Sequence, residues 1–303
     1  MITFIIINQG EIMNNPESLN INNVSETLLI PLYFRACEEK RANEGKSAIL
    51  RDSFAQGLID AIPYDYSKLD SGKLSRVGCC VRAAYFDRKV AEFITKNDHA
   101  VVICGGCGLD TRYERLKSQN LPHFENATFY EIDLPEVIAL RKSLLSESSK
   151  DVYLGASLLE KECFLEIKQK HANAPIIVVI EGVMMYFDNE EITKIFSHLS
   201  ILGEVQLWVD FVGSAFVKHK VQHDTIRHFD AKFRSGFDNP DEVIALAQKA
   251  NVALSLLEIS LYMRQYWSRW GIFGMLMGLL PRKIQMKFSF MAGFEIRLCR
   301  DSG

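Results

Sequence analysis

Several familiar signatures are missing from this chain. G-x-x-x-x-G-K-[ST] is absent, which removes a common phosphate cradle, and so is H-E-x-x-H, the helical zinc signature. Without G-x-S-x-G there is no hydrolase nucleophile elbow. Cations are not in surplus: 35 Lys and Arg face 38 Asp and Glu, for a net charge of −3. Nucleic-acid binding wants a clustered basic excess, so no nucleic-acid partner is expected. No run approaches the roughly 20 apolar residues of a membrane-spanning helix. Met1 to Gln9 has neither a basic leader nor a small-residue cleavage site, so a cytoplasmic protein is expected. The 7 cysteines, an odd number scattered from Cys37 to Cys299, fit reduced thiols better than a disulfide frame. Repeats, low-complexity tracts and clear linkers are also lacking.

What is present begins with an irregular Asn-rich stretch over residues 1–20, expected to be poorly ordered. Helical signals follow over Ser25–Asn97, where Phe86, Val90, Phe93 and Ile94 recur at helical spacing. At Ala100 the texture changes. AVVIC (100–104), ATFYEID (127–133), DVYLGA (151–156), PIIVVIEG (175–182) and EVQLWVDF (204–211) read as strands, with helical segments between them. Such alternation predicts a parallel sheet built by right-handed crossovers. NEEITKIFSHLS opens as a helix with an Asn cap. Beyond Asp210 a helical stretch to Phe233, a turn at FDNPDE and late strands at Ala253–Ile259 and Phe294–Cys299 are expected. The run Trp270–Leu280 (WGIFGMLMGLL) predicts a buried helix or pocket wall. Its competing reading is a surface for lipid or an apolar substrate tail, with Arg269, Arg282 and Lys283 nearby.

The chemistry concentrates at two strand ends. VVICGGCGLD runs a strand into close-set glycines, where a ligand can lie against bare backbone. About 25 residues on, ATFYEID ends with Glu131 and Asp133, and a carboxylate there can accept both ribose hydroxyls of a nucleoside. Gly106 and Gly108 give G-x-G, but Thr111 stands where the dinucleotide pattern has its third glycine, which favours a ligand without pyrophosphate. Cys104 and Cys107 form one C-x-x-C, but it straddles a glycine turn and has no second pair to complete a zinc site. Cys79-Cys80 does not replace that pair, so core cysteines are expected.

Together, GGCGLDTRYERL, FYEIDLPEVIALRK and IEGVMMYFDNEEI resemble the leucine carboxyl methyltransferase family, including its bacterial polyketide O-methyltransferases. TLLIPLYFRA and VRAAYFD extend the likeness, which runs from about Thr27 to Asp210. The resemblance implies an α/β fold: a Rossmann-like class I methyltransferase sheet, mostly parallel and seven-stranded, its last strand antiparallel. It implies one domain over residues 21–303, with a helical cap (20–97), a core binding S-adenosyl-L-methionine (SAM) (98–211), and a substrate-side insertion with the last strands (212–303). It further implies that Arg82 pairs with the SAM carboxylate and that Gly106 and Gly108 wall the site. Asp133 holds the ribose, with Glu131 as its alternate, and Ser157 and Leu158 meet the adenine. There the family usually has Asp-Leu, so Ser157 is a departure. Glu181 stands beside the methionine end and Tyr186 on the methyl-transfer side.

SAM carries an already activated methyl group, so the protein chiefly supplies orientation and field. A carboxylate acceptor needs no base at neutral pH, whereas a phenol benefits from one. Asp210, His223 and His228 are the candidates for acceptor contact or proton removal. Arg35 and Lys73 are cations that suit an acidic acceptor. The expected reaction is O-methylation of a carboxylate or hydroxyl on a small molecule or peptide terminus. A nicotinamide-dependent oxidoreductase and a catalytically silent SAM-binding protein are the alternatives; the oligomeric state stays open.

Overall fold

Alternate residues of each central strand face opposite sides, and both sides are buried. Val102, Cys104, Ile177 and Val179 join one apolar cluster, while Val101, Ile103, Val178 and Ile180 join another. Strands covered on both faces need near-continuous apolar sequence, as these have. The structure is a computed structural model that describes residues 26–218 and 232–298. The first twenty residues, His223 and His228 therefore lie outside the described residues.

One sheet carries seven strands: β1 (Val101–Gly105), β2 (Thr128–Asp133), β3 (Asp151–Gly155), β4 (Ile176–Ile180), β5 (Val205–Val212), β6 (Val252–Ser260) and β7 (Ser289–Leu298). Their order is β3-β2-β1-β4-β5-β7-β6. The first five are parallel; β7 lies between β5 and β6, antiparallel to both. The direction of winding reverses between β1 and β4, the crevice where sheets of this kind bind ligands at their carboxyl ends.

Among the described residues three α-helices precede the sheet, α1 (Leu29–Asn43), α2 (Ser53–Ala61) and α3 (Lys73–Lys96). The helical run expected as a cap does more than cover: α3 buries Val81, Tyr85, Phe86 and Val90 in the cluster that holds Val102 and Val179. The crossovers carry α4 (Arg112–Lys117), α5 (Pro135–Leu144), α6 (Glu162–Lys170) and α7 (Asn189–Ser200). The cap of α7 is Asp188 rather than Asn189. Its carboxylate accepts from the Glu190 and Glu191 amides, and Glu191 returns the bond to the Asp188 amide, so two unpaired donors are met at once.

After β5 come α8 (Ser214–Lys218) and α9 (Pro240–Gln248). The latter starts where a turn was expected. Asn239 caps it, Pro240 takes the first position and Asp241 and Glu242 fill the first turn, a helix start hidden inside FDNPDE. Two short 3₁₀ turns, α10 (Gly271–Gly278) and α11 (Arg282–Met286) then lead to β7. The apolar run is a pocket wall, as one of its expected readings had it, with Trp270, Phe273 and Met277 on the cavity, but it is not a buried helix: Ile272, Phe273, Leu276 and Leu279 are all exposed.

Candidate active site

A cavity of about 910 Å³ opens over the carboxyl ends of β1, β2 and β4. One end is made by the glycine loop after β1. The Gly106 and Cys107 amides donate to the Ile132 carbonyl at 2.8 and 3.1 Å, and the Gly108 amide donates to Asp133 Oδ2 at 2.7 Å. Gly106 and Gly108 have φ of +68° and +51°, the left-handed region that glycine enters without strain. A Cβ at Gly106 would stand 2.4 Å from Val183, and one at Gly108 would stand 2.9 Å from Leu28. Both glycines line the cavity, and on the side where a Cβ would project the protein's own packing fills the space.

Asp133 lines this cavity with each oxygen holding one backbone donor, Gly108 on Oδ2 and Leu134 on Oδ1 (2.7 Å). Burial raises its pKa above the usual carboxyl value, and the two amides pull it back. Glu131 is placed differently from the expected alternate role. It is fully buried, does not line the cavity, and neither oxygen has a hydrogen-bond partner; Arg141 Nη2 lies 3.9 Å away. Burial pushes its pKa up to about 7 and, with the charge of Glu131 beside it, that of Asp151 to about 8. Arg141 donates from Nη1 to the carbonyls of Gly108 and Asp110, so this sub-floor cluster holds the glycine loop from below.

At the opposite end Arg82 reaches from α3 between two strand ends. Its Nε donates to Glu181 Oε1 at 3.1 Å and its Nη1 to Asp210 Oδ2 at 3.0 Å. Arg112 Nη2 binds the other Glu181 oxygen at 2.5 Å and Arg112 Nε binds Asp87 at 2.9 Å. Asp210 also accepts from the Gly182 amide at 2.6 Å and from the Tyr262 hydroxyl at 3.1 Å. Asp210 lines the cavity with three donors on its two oxygens, one of them Arg82. Arg35 is not a loose cation for an acceptor: it is buried, bound to Asp52 at 2.8 Å and to the Leu109 carbonyl. Lys73 is exposed at the start of α3 and does not line the cavity.

Ser157 and Leu158 line the cavity just past β3. Ser157 Oγ already accepts from the Leu159 amide at 3.1 Å, which leaves its proton to donate. The remaining wall is apolar, with Met185, Phe216, Phe233, Trp270, Phe273 and Met277 among its residues. Tyr186 lies on this side, its ring 5.8 Å from that of Phe233, and burial raises its pKa so that it stays a hydroxyl donor. Cys104 and Cys107 also sit at the cavity but are buried, their thiol pKa values pushed far up by desolvation. No group of ligands suited to a metal occurs among the described residues.

The residues that sequence reasoning overlooked are Arg112, Arg115, Arg141 and Tyr262. Arg115 chelates Asp87 through Nε and Nη2 (2.7 and 2.9 Å) and reaches Asp110 at 2.7 Å. A signal did exist: LDTRYERL places two arginines at i, i+3 directly after a ligand loop.

Comparison with known proteins fits this geometry. The model of the leucine carboxyl methyltransferase family matches residues 29–200. The tetracenomycin polyketide synthesis O-methyltransferase TcmP of Streptomyces glaucescens is 29% identical over 228 residues, covering 74% of this chain and 79% of that protein. The crystal structure of a putative methyltransferase from Thermobifida fusca superposes with a TM-score of 0.52 at 14% identity, covering 89% of this chain and 95% of that one. That likeness concerns the fold.

Proposed function

The chain belongs to the leucine carboxyl methyltransferase family and is a SAM-dependent methyltransferase, and from that premise we propose that it methylates an oxygen of an apolar, polyketide-like small molecule. One observation carries the reading. A single cavity joins a polar end, with Asp133 and Arg82, to a wall of aromatic and methionine side chains. The name of the Streptomyces glaucescens relative supports the polyketide-like acceptor.

The residues fit SAM. Each Asp133 oxygen has a lone pair to spare for a ribose hydroxyl. Arg82 uses Nε and Nη1 on Glu181 and Asp210, which leaves Nη2 as the nitrogen that would hold the methionine carboxylate. Glu181, fixed by Arg82 and Arg112, would accept from the methionine amino group. Leu158 would pack on the adenine and Ser157 would donate to it, in place of the usual aspartate. SAM when bound supplies a sulfonium-activated methyl group, so positioning is the main task left to the protein. Tyr186 faces the acceptor and orients it by donating a hydrogen bond.

Among the described residues no side chain on the acceptor wall serves as a general base. Asp210 is held by Arg82, Gly182 and Tyr262, and Tyr186 keeps its proton. This supports a carboxylate acceptor, already ionised at neutral pH. A phenolic acceptor would need His223 or His228. The test is turnover with labelled SAM on polyketide-like acids and phenols. Methyl esters release methanol in mild alkali and phenol ethers do not, so the product identifies the oxygen. If calorimetry showed no SAM binding, the whole reading would fail; if SAM bound but no label moved, a silent binding protein would be the better account.

A further inference from the structure

A helix that is apolar on every side belongs in a core, because water on any face of it is unfavourable. α10 breaks that rule. Its inner side contributes Phe273 and Met277 to the cavity, while Ile272 is 80% exposed, Leu276 60% and the following Leu279 69%. Phe273 does both, lining the cavity and standing 62% exposed, so α10 forms the cavity's rim. Ile284 of α11 and Tyr266 before α10 continue the exposed apolar surface.

The charge around it is one-sided. Between Glu258 and Glu295 there is no acidic residue, whereas Arg264, Arg269, Arg282, Lys283 and Lys287 all fall in that interval of a chain whose net charge is −3. Arg269 is taken up by Glu38. The other four have no carboxylate within salt-bridge distance among the described residues, and all four are exposed. Exposed Leu, Ile and Phe rimmed by unpaired Lys and Arg is the composition of a segment that lies in a lipid–water interface, attracted by anionic headgroups.

We propose that the face made by α10 and the start of α11 docks onto an anionic phospholipid bilayer and sets the cavity mouth against it, so that an apolar acceptor reaches the site from the membrane. The docking stands on the surface alone; the acceptor's route rests on the function proposed above. No helix of the described residues is long and apolar enough to cross a membrane. A second copy of the chain is the rival occupant, but four unpaired cations would then face the same four across a symmetric contact.

The experiment is flotation of the full-length protein with phosphatidylcholine vesicles, with and without phosphatidylglycerol, alongside light scattering for its mass in solution. We expect binding to the anionic vesicles that weakens with added salt. Leu276→Asp with Leu279→Asp should cut partition by about tenfold or more, and Lys283→Glu with Lys287→Glu should abolish the preference for the anionic vesicles. None of these residues lines the cavity, so SAM binding by calorimetry should be unchanged, showing that the variants are folded. Failure to float with the anionic vesicles would overturn the proposal. So would equal binding to both vesicle types, or a dimer that the leucine variant dissolves. Because flotation needs neither SAM nor turnover, its failure leaves the methyltransferase reading to its own test.

Discussion

Arg82 Nη1 and Asp210 Oδ2 lie 3.0 Å apart although 128 positions separate them in the chain, and both side chains are nearly excluded from water. Removing one partner of such a pair leaves the other charge buried without compensation, a cost of about 3–5 kcal/mol. Asp210→Ala should therefore destabilise by that amount in denaturant titrations. Arg82→Lys keeps the charge but loses the planar fork, so it should stay folded and bind SAM ~10- to 100-fold more weakly. Equal SAM affinity in Arg82→Lys would remove that residue from the cofactor site.

Asp133→Asn keeps one oxygen for the Leu134 or Gly108 amide but puts an NH₂ against the other. SAM affinity should fall by about tenfold or more through loss of a charged acceptor. Calorimetry reads this directly, and an unchanged dissociation constant would move the ribose elsewhere.

Gly182 has φ +72°, and a Cβ there would stand 2.6 Å from Arg82 Nη2. Gly182→Ala should cost about 1–2 kcal/mol from the left-handed backbone and should also displace the guanidinium, weakening SAM binding. Gly45 provides the control. Its φ is +73° with open space around it, so Gly45→Ala should show the same backbone cost and no change in SAM affinity.

Glu131 and Asp151 hold protons more tightly in the folded protein than in the unfolded chain, since burial raises them to about 7 and about 8. Their contribution to stability is complete below the ordinary carboxyl range and is lost as pH rises through those two values. Glu131→Gln, which needs no proton and removes the charge beside Asp151, should flatten the decline across both limbs. Melting temperatures across that range would show it; a slope unchanged by the substitution would locate the effect in other groups.

The parallel strands were legible because burial on both faces forces apolar runs, and Asp133 was legible because it ends such a run opposite a glycine loop. The arginine lattice was not. Arg112 meets Asp87 and Glu181, and Arg115 meets Asp52 and Asp87, partners 25 to 69 positions away that only the packing of α4 against α3, the start of α2 and the end of β4 brings together. A charged residue read alone looks solvated. The same limit applied to Trp270–Leu280: periodicity gives a helix its apolar sides but says nothing of what stands against them. Within FDNPDE the turn residues that suggested a loop were serving as a cap and first turn, which look alike until a helix follows.

The place of β7 has a consequence for how the chain is made. As a ribosome delivers the polypeptide, β5 emerges with no neighbour on one side and β6 with none at all, until residues 289–298 arrive to pair with both. For that interval two edges with open hydrogen-bonding groups must avoid each other and other chains. Asp210 on β5 and Tyr262 just after β6 can meet only when that wedge is in, so the Tyr262 hydroxyl is the last of the three donors to reach Asp210.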